Sequence, residues 1–106
     1  MIYELRTYTV FPDKMQELLK LWETNGKPVI DRHMDCVLVT TSESGELNQI
    51  VHLYRWDSYQ SRDEIRRNFY HDPDAQAYVK QVKPMYQRQE SIILSPTAFS
   101  PNITKE

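Results

Sequence analysis

Four stretches of the chain carry side-chain patterns of β-strands, and longer stretches between them have helical spacing. The strand-like stretches alternate in polarity or form β-branched runs, and they cover residues 2–10, 36–41, 50–56 and 88–94. Apolar residues recur every three or four positions after the first and after the third of these stretches. The order β-α-β-β-α-β predicts an α+β domain of the ferredoxin-like, split βαβ type with a four-stranded antiparallel sheet.

The first helical stretch has signals at both ends. Pro12 and Asp13 are typical of a helix start, and the apolar stripe after them indicates one buried face. Gly26 and Pro28 are typical of a helix end, because glycine suits the C-terminal cap and proline interrupts the hydrogen-bond ladder. We therefore expect the helix to end there and a connector to cover residues 29–35.

The second helical stretch contains an interruption. Asp57, followed three positions later by Gln60, resembles a capping box and predicts the start of a helix that stops near His71. Asp72 and Pro73 predict an immediate restart, because a carboxylate caps free N–H groups and proline is tolerated in the first turn. Two consecutive helices are therefore expected before the last strand.

The predicted topology places both helical stretches on one face of the sheet and leaves the other face uncovered. We expect the helices to cover the more apolar set of strand residues, which contains Leu5, Val51 and Leu53. The uncovered face would then carry an acidic, basic and aromatic mixture: Glu4, Arg6, Tyr8, His52, Tyr54 and Trp56. Such a face is too aromatic for open solvent, so we expect a second subunit to pack against it and close a dimeric α/β barrel around a half-polar cavity.

The mixed face is also the candidate site. The candidate catalytic residues are His52, whose imidazole titrates near neutrality, and Arg6, whose guanidinium can stabilise an anion. The expected pocket-lining residues are Glu4, Tyr8, Tyr54 and Trp56. A structural interpretation stays open beside this one: His52 could bond to a neighbour, and Glu4 with Arg6 could form an ion pair that fixes the sheet register.

Length, charge and cysteine content limit the number of domains and the kinds of partner. The 106 residues suffice for one domain, expected over residues 1–95, followed by a proline-containing tail over residues 96–106. The formal net charge of -2 provides no basic field that would hold nucleic acid. A single cysteine, Cys36, and the lack of a long apolar run favour a cytoplasmic protein without membrane insertion.

The sequence predicts no metal site and no cofactor. His33 and Cys36 lie close together with Asp35 between them, but two ligands in one loop do not make a zinc site. A glycine-rich phosphate loop and a nucleophile elbow are also missing from the sequence. Phosphoryl transfer and hydride transfer are therefore disfavoured.

Several short motifs follow one another in a recognisable order. They are YELRTY at residues 3–8, GELNQIVHLYRWDS at 45–58, Arg62 with Arg66, Asp72-Pro73 with Tyr78, and QESIILSP at 89–96. Together they span nearly the whole chain and resemble the NIPSNAP family. Two positions depart from the family pattern: Asp13 stands where glycine is usual, and Ala75 stands where a tryptophan usually follows the Asp-Pro pair.

The resemblance implies a single ferredoxin-like domain that pairs into a homodimeric α/β barrel, in a family whose members are mostly uncharacterised. Two hypotheses about function stay open. The first is a dimeric protein that binds a small aromatic or hydrophobic molecule. The second is a cofactor-independent monooxygenase or isomerase that acts on an enolisable or phenolic aromatic substrate, as other proteins with this barrel do. In the second, His52 would take a proton, Arg6 would stabilise the anion, and Tyr8 and Tyr54 would position the ring; a haem-dependent variant would need His52 as axial ligand.

Overall fold

The four predicted strands form one antiparallel sheet. The computed structural model describes residues 1–102, and its strands are β1 (Ile2–Val10), β2 (Asp35–Thr41), β3 (Gln49–Trp56) and β4 (Tyr86–Leu94). Their spatial order is β2-β3-β1-β4, so β1 and β3 form the central pair. Every neighbouring pair is antiparallel, which confirms the predicted ferredoxin-like α+β fold.

The first helical region continues beyond its predicted end. A short 3₁₀ turn leads into α1 (Met15–Leu21), a π turn (Trp22–Gly26) follows, and α2 (Lys27–His33) extends to the start of β2. The prediction that Gly26 and Pro28 end the helix is therefore wrong. The expected connector over residues 29–35 is mostly helical.

The π turn explains why the two residues do not end the helix. The Lys27 N–H donates to the carbonyl of Trp22, five residues earlier, so the hydrogen-bond register shifts just before Pro28. Pro28 then occupies the first turn of α2, where its missing N–H is tolerated. Gly26 has helical dihedral angles, and a Cβ built on it would lie 2.6 Å from the Tyr78 ring. Glycine is there for close packing and not for chain reversal.

The second helical region has the two predicted helices, α3 (Tyr59–His71) and α4 (Pro73–Val82). Asp72 caps α4 as predicted, because its carboxylate accepts from the backbone N–H two residues later at 3.0 Å. The cap of α3 is Ser58 and not Asp57, since the Ser58 hydroxyl accepts from the N–H three residues later at 3.0 Å. Within residues 1–102, no helix has the length and apolar character needed to cross a bilayer.

The helices cover the face of the sheet opposite to the predicted one. His52, Tyr54 and Trp56 are buried in the core with residues of the helices. The three residues that were assigned to the helices are only half-buried on the other face: Leu5, Val51 and Leu53. The prediction treated charged side chains as marks of an uncovered face, but these charges pair with one another beneath the helices. The same face also carries the buried Ile2 and Ile50, so its total apolar content is high.

One face of the sheet remains uncovered, and it is apolar. Leu5 of β1 is paired with Leu53 of β3 and Ile92 of β4, and Leu38 of β2 also lies opposite Leu53. The exposed fractions of Leu38, Ile92 and Leu94 are 52%, 43% and 42%. We call these five residues the open sheet face. A contiguous apolar surface of this kind is typical of an interaction surface.

The chain after β4 has neither helix nor strand in the part that the structure describes, which ends at residue 102. A turn closes where the Ser100 N–H donates to the carbonyl of Thr97 at 3.1 Å. The last residues of the predicted tail, 103–106, lie outside the described residues. The division into a domain over residues 1–95 and a tail stays a prediction.

Candidate functional site

A cavity of about 250 Å³ lies between the covered face of the sheet and the helices. We call it the sheet–helix cavity. Its lining mixes basic, aromatic and aliphatic side chains: Arg6, Tyr8, Ile30, Met34, His52, Tyr54, Arg66, Phe69, Tyr70, Tyr78, Val79, Val82, Lys83, Tyr86 and Gln89. The alternation of β1 and β3 aims the polar residues of the sheet into this space, since every second side chain points to the same face.

His52 is the most enclosed polar residue of the cavity lining. Only 3% of its surface is exposed, and its ring lies 5.1 Å from the Tyr8 ring and 5.8 Å from the Trp22 ring. Burial, together with the positive charge of Arg6, lowers the pKa of His52 to about 4. The imidazole is therefore neutral at physiological pH.

One imidazole nitrogen has a partner and the other has none. Nδ1 lies 2.9 Å from the Tyr54 hydroxyl, whereas Nε2 is buried without a hydrogen-bond partner among the described residues. If Tyr54 donates to Nδ1, Nε2 carries the proton and is a donor; if Nδ1 donates, Nε2 is an acceptor. Burial raises the pKa of Tyr54 well above its usual value, so its hydroxyl stays protonated. A neutral imidazole with a free Nε2 can therefore bind a donor or an acceptor.

Glu4 lies beneath the helices at the centre of an ion-pair cluster. Its side chain is fully buried, and its carboxylate accepts hydrogen bonds from Arg62, Arg6, Trp56 and Ser91. Burial alone would raise the pKa of Glu4, but the bonds from Arg62, Ser91 and Arg6 outweigh it and lower the pKa to about 2. Two guanidinium groups surround this carboxylate, and the Arg62 Nη1 also donates to the Asp63 carboxylate at 3.4 Å.

Arg6 connects this cluster to the cavity. Its Nη1 donates to Glu4 at 2.8 Å, and its Nε donates to the Tyr8 hydroxyl at 2.8 Å. The guanidinium carbon also lies 5.6 Å from the centre of the Tyr8 ring. Because the buried Glu4 fixes Arg6, the positive charge next to His52 has a defined position.

Three buried polar atoms have no hydrogen-bond partner among the described residues: Trp22 Nε1, His52 Nε2 and the Tyr78 hydroxyl. His52 and Tyr78 line the cavity, and Trp22 stands at the start of the π turn beside His52. Buried polar side-chain atoms are paired in the large majority of cases, and π turns frequently occur at functional sites. These unpaired atoms therefore make this part of the cavity the candidate site.

The structure separates the predicted site residues into two groups. Four of them line the cavity: Arg6, Tyr8, His52 and Tyr54. Glu4 and Trp56 lie on the same face of the sheet but outside the lining, where the Trp56 Nε1 donates to Glu4 at 3.1 Å. The cavity lies within one subunit, under the helices, and not between two sheets. The catalytic roles of Arg6 and His52 stay predictions.

Sequence reasoning missed the contribution of the helices to the site. Neither Tyr78 nor Tyr86, which stacks on Tyr8 with ring centres 4.6 Å apart, belongs to the predicted set of site residues. The available signal was the hydroxyl of Tyr78 within a buried stripe, because a buried tyrosine usually needs a partner for its O–H. Arg66 also lies outside the predicted set of site residues, and it lines the cavity.

His33 and Cys36 do not belong to the lining of this cavity. The His33 Nε2 is 2.7 Å from the Asp72 carboxylate, which Arg32 also contacts, so these residues join the end of α2 to the start of α4. Cys36 is buried near the start of β2. Among residues 1–102, no three side chains of metal-ligating type come together.

A comparison with known families and sequences identifies relatives along most of the chain. The family model that matches is NIPSNAP, over residues 3–101. Among curated proteins, human NipSnap homolog 2 is 31% identical over 100 residues, which covers 94% of this chain and 35% of that protein. The chain therefore spans about a third of the length of the curated relatives it matches.

Solved structures agree with the sequence comparison. An uncharacterized NIPSNAP domain protein from Burkholderia xenovorans superposes with a TM-score of 0.93 at 33% identity, covering 96% of this chain and 100% of that one. A structure described as an antibiotic biosynthesis monooxygenase superposes with a TM-score of 0.66 at 9% identity, covering 92% of this chain and 99% of that one, which shows a common fold alone. With a family model that matches nearly its whole length, the chain belongs to the NIPSNAP family.

Proposed function

We propose that this protein is a homodimer whose subunits each bind a small aromatic or hydrophobic molecule in the sheet–helix cavity. The observation that carries this proposal is His52 Nε2, a buried atom of the cavity lining that has no hydrogen-bond partner among the described residues. Leaving such a group without a partner costs about 1–3 kcal/mol. A ligand with a hydrogen-bonding group at one end would remove this cost.

The rest of the lining supports a flat, mostly apolar ligand. Aliphatic and aromatic side chains of the helices face the aromatic residues of the sheet, and the volume of about 250 Å³ suits one or two rings. Ligand sites are commonly apolar cavities with a few convergent polar groups. The stacked pair of Tyr8 and Tyr86 forms one wall against which an aromatic ring could lie.

The open sheet face supports the dimer. Its leucine and isoleucine side chains would leave water if the sheets of two subunits packed against each other, and burial of apolar surface is the main driving force of such association. Because the cavity lies on the other side of the sheet, such a dimer would carry two separate sites. A cytoplasmic location belongs to the same proposal and is supported by the single cysteine, which is buried.

A cavity-filling substitution tests the binding site. Val79 lines the cavity from α4, and Val79→Trp should fill it and abolish binding of a neutral probe such as 2-naphthol, measured by ligand-observed NMR. Lys80→Trp is the matched control, because Lys80 is exposed on the same helix outside the cavity lining, and it should bind like the parent protein. Equal binding by the Val79→Trp protein, with its fold verified by circular dichroism, would refute the proposed site.

A second candidate function is an enzyme, a cofactor-independent monooxygenase or isomerase acting on an enolisable or phenolic aromatic substrate. The specific observation in its favour is that His52 combines a neutral imidazole with an unpartnered Nε2. In one tautomer this nitrogen could take the proton from a substrate O–H or C–H bond, leaving the electron pair on the substrate. Arg6 would stabilise the resulting anion through its fixed charge and its bond to Tyr8.

A measurement of catalytic turnover distinguishes the binding protein from the enzyme. In an enzyme, His52→Ala should lower turnover of a phenolic substrate by roughly a hundred-fold or more, with a much smaller effect on the free energy of unfolding. Parallel losses of turnover and stability would mean that His52 is structural. Binding of the same compound without any turnover by the parent protein would favour the binding protein.

A further inference from the structure

We propose that the sheet–helix cavity selects an anionic ligand, a flat aromatic or apolar carboxylate whose charged end lies at Arg66 and Lys83. This inference rests on the proposed binding function and adds the chemical class of the ligand. It starts from the sign of the charges around the cavity. Arg6, Arg66 and Lys83 belong to the lining, and no aspartate or glutamate does.

The two outer cations are not neutralised by the protein. The Arg66 Nη2 donates to the Tyr70 hydroxyl at 3.3 Å, and its guanidinium carbon lies 5.5 Å from the centre of the Tyr70 ring. Among the described residues, no carboxylate lies within 4.0 Å of a charged nitrogen of Arg66 or Lys83. Both charges therefore remain available to a ligand.

Arg62 provides the contrast on the same helix. It lies one turn before Arg66, and both its Nε and its Nη2 donate to Glu4, at 2.8 and 3.0 Å. Arg6 also donates a hydrogen bond to this carboxylate. Glu4 thus pairs with Arg6 and Arg62. Arg66, which lines the cavity, has no carboxylate partner among the described residues.

The polarity of the cavity changes from its rim to its inner end. Lys83 is exposed and Arg66 is half-buried, whereas His52 and Tyr78 are only 3% and 5% exposed. Of this inner pair, the neutral His52 has its Nε2 without a hydrogen-bond partner among the described residues. The lining also contains apolar side chains: Ile30, Met34, Phe69, Val79 and Val82.

This profile matches a ligand with three parts. A carboxylate at the rim would form charge-assisted hydrogen bonds with Arg66 and Lys83, and guanidinium suits a carboxylate especially well because it can donate two parallel bonds. A flat apolar body would occupy the middle of the cavity. A hydroxyl or carbonyl group at the far end would reach His52 Nε2 or the Tyr78 hydroxyl.

Matched acid and amide pairs test the charge preference. The probes are 4-hydroxybenzoate against 4-hydroxybenzamide and 2-naphthoate against 2-naphthamide, with dissociation constants measured by NMR titration of the full chain. Each acid should bind roughly ten-fold more tightly than its amide, because the amide keeps the shape and loses the charge. Arg66→Gln and Lys83→Gln should each remove most of this preference, because they weaken binding of the acid much more than binding of the amide.

The controls are Arg67→Gln on α3 and Lys80→Gln on α4, which remove a positive charge from exposed positions outside the lining. They should keep the preference for the acids. Equal binding of acids and amides, or a preference that survives Arg66→Gln and Lys83→Gln, would refute the preference for an anionic ligand. The proposal that the cavity binds a small molecule would not be affected by that result. Failure of every probe to bind would instead overturn the cavity as a binding site, and this inference with it.

Discussion

His52 is an uncharged histidine held inside the protein by burial and by the charge of Arg6. Its pKa is about 4 in the folded state and about 6.5 when unfolded, so the unfolded chain binds more protons between these values. The neutral His52 therefore adds to the free energy of unfolding above pH 6.5. This contribution, on the order of 3 kcal/mol, is lost as the pH falls toward 4.

Urea unfolding of the parent protein and His52→Gln at several pH values measures this effect. The difference in unfolding free energy between the two proteins should shrink steadily as the pH falls from 7 to 4, because glutamine does not titrate. A difference that stays constant over this range would contradict a neutral, buried His52.

Glu4 neutralises two arginine side chains from a fully buried position. Glu4→Gln should destabilise the protein by about 3–5 kcal/mol, because it leaves Arg6 and Arg62 near each other without their shared counter-charge. Chemical denaturation measures the change, and Glu64→Gln, at an exposed site on α3, should leave stability nearly unaltered. A small effect of Glu4→Gln would mean that water or other groups already solvate the two guanidinium ions.

The contact between the π turn and α4 sets the shape of the first helical region. Gly26→Ala would normally stabilise a helix by up to about 1 kcal/mol, but here the new Cβ meets the Tyr78 ring at 2.6 Å. We expect Gly26→Ala to destabilise the protein by about 1–3 kcal/mol through overpacking. In a Tyr78→Ala background the same change should become neutral or stabilising; additive effects in the double variant would contradict the contact.

The two helical regions differ in how far the sequence predicts them. The start of α4 was predictable because Asp72 and Pro73 act within one turn of chain. The continuation through Gly26 and Pro28 was not, because it depends on a shifted hydrogen-bond register and on Tyr78, which is distant in sequence.

At the scale of the whole molecule, the strand pattern predicts the sheet and the two sets of side chains but not which set the helices cover. Alternation gives the same two faces in either orientation. The choice depends on whether charged side chains can pair inside. The partners of Glu4 come from β1, β3, β4 and α3, which only the folded chain brings together. Four of the predicted site residues still line one cavity, because alternate residues of a strand point to the same face whichever face the helices cover.

The open sheet face predicts the behaviour of a matched pair of variants. Leu38 lies on that face and Leu47 lies in the turn between β2 and β3, with exposed fractions of 52% and 55%. Leu38→Glu should weaken the dimer at least ten-fold by placing a carboxylate in an apolar interface, and Leu47→Glu should not. Analytical ultracentrifugation measures both, and equal dimerisation of the two variants would place the interface elsewhere.

In the proposed homodimer, each subunit has its own ligand cavity between sheet and helices. Native mass spectrometry of the purified protein titrated with 2-naphthol tests this arrangement, because one spectrum reports subunit number and ligand number together. We expect a dimer that carries two probe molecules and a Val79→Trp dimer that carries none. A monomer, or a dimer that saturates with one probe molecule, would contradict it.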